Sequence, residues 1–307
     1  MNTFVVIVTF NGVKWINKCL GSLRESKISI QTVIIDNGST DGTLEKIHEY
    51  YPEIHLMKTG KNLGFGGANN IGIEWACKQG AEYIFLLNQD AWIEPFTIQK
   101  LIEASRKHLD FGVLSPIHLN GKGDALDENF SNFIVPHKCK DLYSDMVLQK
   151  YSKNIYGLPF INAAAWLINK KCIDRVGGFN PSFFHYEEDG NYCQRVLYHG
   201  MKIGVVPTIK IYHDREERGE NIYFVNEKKK FVRALIQDLS NPFKNNSIKI
   251  IIKHLLLDLF LNPSIKEMKQ MIKKINYLRE IKFKKIKTNK TISRKEGSSF
   301  LKIEKNR

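Results

Sequence analysis

Short apolar runs alternate with helix-like segments along the first third of the chain. Clusters of apolar and β-branched residues predict strands at residues 4–8, 32–36, 54–57, 83–87 and 112–115. Between the first two strands, apolar side chains recur every three or four residues from Val13 to Leu23, which is the spacing of an amphipathic helix. The alternation predicts an α/β fold in which helices flank a mostly parallel central sheet. Sheets of this kind bind ligands at the carboxyl ends of their strands.

The pattern is less regular after residue 116. Residues 117–158 are rich in Gly, Asp, Asn and Lys, and their weak periodicity is interpreted as a long excursion or a mobile loop. Further along, helices are predicted over residues 169–176 and 187–198, with strands at 203–206 and 210–212. Residues 247–261, SIKIIIKHLLLDLFL, are too few and too charged for a comfortable membrane span.

Charge divides the chain into two parts. Residues 226–307 hold 22 Lys and Arg against 7 Asp and Glu, a net charge of +15, whereas residues 1–225 hold 24 against 25, a net charge of −1. We therefore predict two parts, an α/β domain over residues 1–220 and a basic helical C-terminal region over residues 221–307. The basic region suggests attachment to an anionic membrane surface, with an ordinary helical appendage as the alternative.

Several classes of protein are disfavoured by composition. The five cysteines are scattered without a CxxC spacing, which indicates free thiols of a reducing cytoplasm rather than a zinc site or a disulfide framework. The N-terminal MNTFVVIVTF lacks the basic start and the cleavage site of a signal peptide, so it is interpreted as a first strand. Neither zinc spacing nor an RNA-binding aromatic motif supports a nucleic-acid-binding protein.

Polar residues follow the predicted strands at the points where each strand ends. The first strand leads into Thr9 and Asn11, the second ends in Asp36, and the fourth ends in Asn88-Gln89-Asp90. A carboxylate such as Asp36 can accept a hydrogen bond from N3–H of uracil or thymine, although capping of a turn is an equally simple role.

Asp90 has the chemistry of a metal ligand. Mg²⁺ and Mn²⁺ prefer oxygen ligands, commonly one or two carboxylates completed by substrate phosphates and water. The alternative is that Asp90 caps the helix near Pro95. The glycine-rich loop over residues 61–72 follows neither the dinucleotide-binding nor the P-loop pattern.

Three consecutive acids, Glu187, Glu188 and Asp189, begin a predicted helix. The helix dipole favours acids at this position, but crowding of like charges also raises a pKa, which suits a general base. His213 follows the last predicted strand, where an imidazole can bind a metal or phosphate or simply lie at the surface.

These stretches, taken in order, resemble the inverting family 2 glycosyltransferases of GT-A fold. The resemblance covers about residues 3–215 and rests on VVIVTFNG, IIDNGSTDGT, KNLGFGGANNIGI, FLLNQDAWIEP and VGGFNPSFFHYEEDGNYCQR. It implies an enzyme that transfers a sugar from a nucleoside-diphosphate donor to a glycan or a lipid-linked acceptor. Within the family the chain resembles rhamnosyltransferases, which implies a dTDP- or UDP-linked donor, with rhamnose as the first candidate sugar, and a role in bacterial surface polysaccharide synthesis.

The resemblance also implies roles for individual residues. Asp189 is identified as the general base. The residues expected to contact the nucleotide are Thr9, Asn11, Asp36, Asn69 and Asn88. Asp90 and His213 are the expected ligands of Mg²⁺ or Mn²⁺. The acceptor or sugar pocket is expected to include Gln89, Trp166 and Glu188.

Three features depart from the family pattern. The triplet NQD stands where relatives often have NPD, so Asp90 is its single acid. Residues 188–191 read EDGN rather than EDxD, and Asn169-Lys170-Lys171 stands where relatives often carry Arg. A catalytically silent nucleotide-binding module and a nucleotidyltransferase remain as alternatives. The expected location is the cytoplasm, at the inner face of the plasma membrane.

Overall fold

The computed structural model describes residues 2–215, 225–261 and 263–303. Within these ranges the strands are β1 (Thr3–Thr9), β2 (Gln31–Asp36), β3 (His55–Lys58), β4 (Tyr83–Asn88), β5 (Ala91–Ile93), β6 (Phe111–Asn120), β7 (Tyr156–Gly157), β8 (Ala165–Asn169) and β9 (Lys202–His213). The helices are α1 (Ile16–Arg24), α2 (Thr43–Tyr50), α3 (Gly64–Lys78), α4 (Thr97–Lys107), α5 (Glu128–Ser131), α6 (Leu142–Val147), α7 (Lys170–Val176), α8 (Glu188–Tyr198), α9 (Glu227–Ser240), α10 (Ile248–Leu261), α11 (Ile265–Leu278) and α12 (Phe283–Ser293).

One mixed sheet organises the fold, with strand order β3-β2-β1-β4-β8-β6-β9-β5 and β7 paired to β9. The first four strands in that order are parallel, and β8 runs antiparallel to both of its neighbours. Thr9 lies opposite Asp36, and Val8 lies opposite Asn88. The polar residues predicted at the strand ends therefore lie side by side at the carboxyl ends of the parallel strands.

Alternate residues of β1 enter two apolar layers, one on each face of the sheet. Phe4 and Val6 belong to a cluster covered by α3, α7 and α8, whereas Val5 and Ile7 belong to a cluster covered by α1, α2 and α4. A strand buried on both faces is held rigidly, because every side chain along it is packed. The residues that follow such strands are consequently well positioned for chemistry.

Residues 117–158, interpreted from the sequence as a long excursion or a mobile loop, contain short elements that the sequence pattern does not predict. β6 continues to Asn120, and α5, α6 and β7 follow. Phe130, Ile134 and Leu142 from this segment are buried in the main core. Widely spaced apolar anchors hold the segment, and such anchors do not produce a regular periodicity.

The two strands predicted at 203–206 and 210–212 are one strand, β9. Its pairing with β6 shifts register between Pro116/Ile117 and Val206/Lys210, so residues 207–209 form a bulge. Pro207 within the bulge has no N–H to donate, which explains the break in the strand pattern.

The C-terminal helices pack around a small apolar cluster that includes Leu235, Leu239 and Leu278. α9 also contacts α8, where Asn191 Nδ2 donates to the Ser240 carbonyl at 3.2 Å. The predicted domain boundary at residue 220 falls among residues 216–224, outside the described part of the chain, and stays a prediction. Across the described ranges, we find no helix whose length and apolar character would let it cross a bilayer.

Candidate active site

Asp36 is held in a cradle of hydrogen bonds at the end of β2. Its carboxylate accepts from the Thr9 hydroxyl at 3.2 Å, from the Gly38 amide at 3.0 Å and from the Ser39 amide at 3.1 Å. Only 2% of Asp36 is exposed. Gly38 has a φ of 91°, a left-handed conformation that glycine adopts without strain and that turns the chain back toward the carboxylate. Thr9 and Asp36 are both expected nucleotide contacts from the sequence, and the structure brings the two side chains together.

The loop after β1 is fixed to the loop after β2. Asn11 has a φ of 50°, its amide donates to Ser39 Oγ at 3.0 Å, and its Oδ1 accepts from the Thr40 amide at 2.9 Å. Gln89 fixes the other side of the same loop, because its side-chain amide exchanges two hydrogen bonds with the backbone of Phe10 at 2.9 and 3.1 Å. A sugar contact for Gln89 stays a prediction.

The glycine-rich segment forms the start of α3 and closes against two other loops. Asn37 Oδ1 accepts from the Leu63 amide at 2.8 Å, which joins the segment to the end of β2. Gly64 has a φ of 77°, and a Cβ at this position would collide with the Phe184 carbonyl of the acid-rich segment. Asn69 lies one turn further along α3, where its side chain is buried and donates to the Phe65 carbonyl at 3.0 Å.

Asp90 and His213 meet at the carboxyl end of the sheet. β5 pairs antiparallel with β9, which places Ala91 opposite His213, and the Asp214 amide donates to the Asp90 carbonyl at 2.9 Å. This backbone pairing places Asp90 Oδ1 3.4 Å from His213 Nε2. Asn88 Nδ2 also lies 3.4 Å from the same nitrogen. Both Asp90 and His213 are at most 2% exposed.

The opposite nitrogen of His213 faces Asp127, which the sequence reasoning missed. His213 Nδ1 lies 3.2 Å from Asp127 Oδ2, and Arg215 Nε donates to that same oxygen at 2.7 Å. Burial alone would raise the pKa of Asp127, but the hydrogen bond with His213 and the nearby Arg215 cation hold it below its ordinary value. The one sequence signal was an acid three residues before Phe130, which predicts a helix cap and gives no hint of the contact with His213.

The donor atoms of this cluster fit a divalent cation. A carboxylate oxygen and an imidazole nitrogen 3.4 Å apart are spaced as two ligands of one ion, since metal–ligand distances of about 2.0–2.2 Å place adjacent ligands roughly 3 Å apart. No group of three or more His, Cys, Asp and Glu placed to bind a metal occurs within residues 2–215, 225–261 and 263–303. An ion at Asp90 and His213 would therefore take its remaining ligands from phosphate oxygens and water.

Glu188 and Asp189 begin α8 and differ in their surroundings. Glu188 is 4% exposed, and its Oε2 is buried without a hydrogen-bond partner in the part of the chain that the structure describes. Burial and the neighbouring Asp189 raise the pKa of Glu188 to about 8. Asp189 is half-buried, and its Oδ1 accepts from the Gly190 amide at 2.8 Å. Burial raises the pKa of Asp189 to about 6, while backbone amides, including those of Gly190 and Ala163, act in the opposite direction.

The turn before α8 is held by the C-terminal helices. Tyr186 and Glu187 both have left-handed backbones, with φ values of 68° and 70°. Consecutive left-handed residues other than glycine are strained, so they require support from neighbouring structure. Arg233 of α9 provides such support, with its Nε 3.5 Å from Glu187 Oε1 and its guanidinium over the Tyr186 ring. The basic region thus contributes to the geometry of the acid-rich segment.

Trp166 lies in the core behind this segment and is 0% exposed. Its ring stacks on Phe179 at 6.3 Å between centroids and contacts Tyr192 at 5.7 Å. Phe179 belongs to the turn that precedes the acids. In this conformation Trp166 supports the turn from the core side, and direct contact with a sugar or acceptor stays a prediction.

Replacing Glu188 with Gln is expected to change the pH dependence of stability. Between pH 4.5 and about 8 the folded protein keeps a proton on Glu188 that the unfolded chain has released. The stability from this raised pKa is therefore present at low pH and lost as the pH rises toward 8. Glu188→Gln should melt higher than the wild type at pH 8.5, with a smaller difference at pH 5. Thermal denaturation at both pH values tests this, and a pH-independent difference would contradict the buried carboxyl.

A sheet with these polar strand ends, the acid-rich helix start and the β9 histidine defines a GT-A type nucleotide-sugar transferase fold. The family model for "Glycosyl transferase family 2" matches residues 4–175. The chain belongs to that family and is a glycosyltransferase. The fold class predicted from the sequence is confirmed.

Characterised relatives are similar over most of the chain. An N-acetylglucosaminyl-diphospho-decaprenol L-rhamnosyltransferase of Mycobacterium tuberculosis is 24% identical over 231 residues, which cover 69% of this chain and 75% of the relative. The dTDP-rhamnosyl transferase RfbF of Shigella flexneri is 25% identical, with 73% of each chain covered. The structure of a mannosyltransferase from Pyrobaculum calidifontis in complex with GDP-Man and Mn²⁺ superposes with a TM-score of 0.55, covering 95% of this chain and 73% of that one at 15% identity. The predicted likeness to rhamnosyltransferases is confirmed.

Proposed function

We propose that this protein transfers a hexosyl group, with inversion, from a dTDP- or UDP-linked donor to a hydroxyl group of a glycan or a lipid-linked acceptor. The observation that carries the proposal is the buried pair of Asp90 and His213, 3.4 Å apart at the carboxyl end of the sheet. Rhamnose is the first candidate sugar, because rhamnosyltransferases from two bacteria are among the relatives. The name of the mycobacterial relative includes a diphospho-decaprenol, which supports a lipid-linked acceptor in surface polysaccharide synthesis.

In this proposal the nucleoside binds at the ends of β1, β2 and β4. The candidate contacts are Thr9, Asn11, Asp36, Asn69 and Asn88. Asp36 is the best supported of them, because the hydrogen bonds from Thr9 and from two backbone amides fix the orientation of its carboxyl group. Carboxyl oxygens fixed in this way favour a base that presents an N–H donor, which uracil and thymine both do.

Asp90 and His213 would hold Mg²⁺ or Mn²⁺, and the mannosyltransferase that shares the fold was solved with Mn²⁺. Such an ion supplies Lewis-acid stabilisation of the negative charge on the departing diphosphate. The protein's own part is to hold the two ligands rigidly, through the pairing of β5 with β9.

Asp189 acts as the general base. The acceptor oxygen attacks the anomeric carbon and loses its proton to the Asp189 carboxylate, while the bond from that carbon to the diphosphate oxygen breaks and the nucleoside diphosphate departs. One displacement of this kind inverts the anomeric centre. A pKa of about 6 leaves Asp189 mostly ionised at neutral pH yet basic enough to accept a proton. Gln89, Trp166 and Glu188 shape the sugar and acceptor pocket around it.

A turnover assay tests this proposal. The full chain is incubated with dTDP-rhamnose or UDP-sugars, Mn²⁺ and lipid-diphosphate acceptors. Release of the nucleoside diphosphate and the anomeric configuration of the product are then measured by NMR. The proposal expects an acceptor-dependent product whose anomeric configuration is opposite to that of the donor. A product with the same anomeric configuration as the donor would exclude a single displacement with Asp189 as the base.

We further propose that the enzyme works in the cytoplasm at the inner face of the plasma membrane, bound through the C-terminal region of residues 221–307. An exposed apolar surface lies on α10 and the start of α11. Its described members are Ile250, Leu256, Leu257, Phe260, Leu261, Ile265, Met268 and Ile272. Lys249 and Lys253 share the exposed face of α10 with these side chains. Lysines beside apolar side chains match an anionic bilayer, whereas in a symmetric dimer they would oppose like charges.

Replacing Phe260 and Leu261 together with Ser is expected to weaken binding to anionic liposomes. Phe260 is 80% exposed, so the substitution removes apolar contact with lipid at little cost to packing. Sedimentation with phosphatidylglycerol-containing vesicles, at low and high salt, measures the effect. The matched control replaces Tyr143 and Leu148, which are exposed on and next to α6, and should bind as the wild type does. Absence of salt-sensitive binding by the wild-type chain would exclude the membrane proposal.

A further inference from the structure

Asp127 occupies a position between a helix start and the candidate metal site. Its Oδ1 accepts from the Phe130 amide at 2.8 Å, which caps α5. Its Oδ2 faces His213 Nδ1 at 3.2 Å and accepts from Arg215 Nε at 2.7 Å. The side chain is almost completely buried. One carboxylate therefore fixes both the local helix and the side of the imidazole that faces away from Asp90.

These contacts favour one nitrogen of His213, Nδ1, as the carrier of the ring proton. If Nδ1 were unprotonated, its lone pair would face the Asp127 carboxylate at 3.2 Å, which is repulsive. The single N–H of Arg215 Nε is shared between two acceptors, at 2.7 Å to Asp127 Oδ2 and at 3.3 Å to Nδ1, and the shorter, charge-assisted bond to the carboxylate is the stronger of the two. The contact between Nδ1 and Asp127 Oδ2 at 3.2 Å therefore favours the ring tautomer that donates from Nδ1.

The same assignment determines what His213 presents to Asp90. A neutral ring with its proton on Nδ1 has a lone pair on Nε2, the atom 3.4 Å from Asp90 Oδ1. Asn88 Nδ2, 3.4 Å from Nε2, can donate to that lone pair, and a cation bound at Nε2 would replace this hydrogen bond. A lone pair and a carboxylate oxygen converging in a buried place form an arrangement that a cation stabilises.

We propose that Asp127 is a positioning residue for the metal site, which holds His213 with Nδ1 protonated and so presents Nε2 to a divalent cation shared with Asp90. The inference rests on the proposed metal-dependent function. Carboxylates that orient a ligating histidine in this way tune metal affinity without touching the metal. The ordered segment after β6 would then serve the metal site, because it places Asp127 beside His213 of β9, which lies 86 residues further along the chain.

Binding of Mn²⁺ to the full chain tests the inference, with free Mn²⁺ measured by electron paramagnetic resonance in the presence and absence of UDP. Asp127→Ala is expected to weaken Mn²⁺ binding by about 10- to 100-fold. Asp127→Asn, whose amide oxygen can still accept from Nδ1–H, should lie between that variant and the wild type. Nitrogen-15 NMR of the imidazoles provides a second readout, with His213 assigned by its loss in His213→Gln. Metal-free wild type should show the Nδ1–H form.

The control separates this role from support of the local fold. Asp145 lies in the same segment and accepts from the Ser152 amide at 2.9 Å and from Tyr156, without contact to His213. Asp145→Asn should lower the melting temperature and leave Mn²⁺ affinity unchanged. Wild-type protein that binds no Mn²⁺ would refute the metal-dependent function itself. Folded Asp127→Ala that binds Mn²⁺ as tightly as the wild type would overturn the inference. An Nε2–H form in the wild type would overturn it as well, whether or not the variants fold.

Discussion

Asp189→Asn is expected to lower turnover by about 10²- to 10⁴-fold, the usual contribution of a positioned general base. The amide keeps the shape of the side chain and can still accept from the Gly190 amide, but it cannot take a proton from the acceptor. Donor binding should be retained, because the substitution does not touch the residues at the ends of β1, β2 and β4. Steady-state rates and nucleotide affinity, measured on the same preparation, separate the two effects.

The pH profile of the wild type provides an independent check on this base. Burial raises the pKa of Asp189 to about 6, so kcat/KM should fall as the pH drops below that value, since the base becomes protonated. Glu188 and Asp189 interact, so the observed limb belongs to the pair rather than to one residue. Glu187→Gln removes a carboxylate from the same turn but keeps a side-chain oxygen that can accept from Arg233, so it should affect turnover far less. Full activity in Asp189→Asn would exclude Asp189 as the base. If the wild type turned over none of the donors, a catalytically silent nucleotide-binding module would be favoured instead.

Asp90→Asn is expected to lower turnover by roughly 10³-fold, which corresponds to the loss of several kcal/mol of stabilisation of the leaving group. An amide is a weaker ligand for a hard cation than a carboxylate, so Mn²⁺ should also cease to strengthen nucleotide binding. Calorimetric titration of the variant with UDP, with and without Mn²⁺, measures this coupling directly.

A neighbouring carboxylate provides the matched control for Asp90. Asp214 follows His213 in the chain, and its side chain accepts from Trp15 Nε1 at 3.0 Å. Asp214→Asn removes one negative charge close to the site and should preserve the effect of Mn²⁺ on nucleotide binding. If Asp90→Asn retained that effect and Asp214→Asn lost it, the metal ligand would have been assigned to the wrong residue.

The parallel part of the sheet could be predicted from the sequence, because each strand is recognised from a few consecutive residues. Each of the strands β1, β2 and β4 is a short apolar run followed by polar residues, and parallel strands bring such ends to one edge. The adjacency of Thr9 and Asp36 follows from that rule, and the register of β1 with β2 confirms it. The position of Asp90 just beyond β4 follows in the same way.

The other half of the site depends on contacts between distant segments and could not be predicted. Asp127 and His213 are brought together by the long parallel pairing of β6 with β9. The bulge at residues 207–209 interrupts the apolar pattern of β9, so the sequence predicts two strands where the structure has one. Arg233 and Glu187 meet because α9 packs on α8, and nothing in the sequence of either helix specifies that contact. Periodicity identifies an element and the face that it buries, but it does not identify the partner of a polar side chain.

The acid-rich segment shows the same division between local and distant information. A helix start at Glu188 was predictable, since acids favour the first turn of a helix. The difference between the two acids was not, because it arises from hydrogen bonds that form only in the folded chain. Glu188 Oε2 is enclosed without a hydrogen-bond partner among the described residues, whereas Asp189 Oδ1 accepts from the Gly190 amide.

A thermal-shift measurement on the full chain with nucleoside diphosphates, with and without Mn²⁺, tests the central claim most directly. The site built from Asp36, Asp90 and His213 predicts that UDP or dTDP raises the melting temperature substantially only when Mn²⁺ is present, because the ion joins the protein to the diphosphate. A melting temperature that is indifferent to every nucleotide, whether or not Mn²⁺ is added, would contradict the assignment of a metal-dependent nucleotide-sugar site at this edge of the sheet.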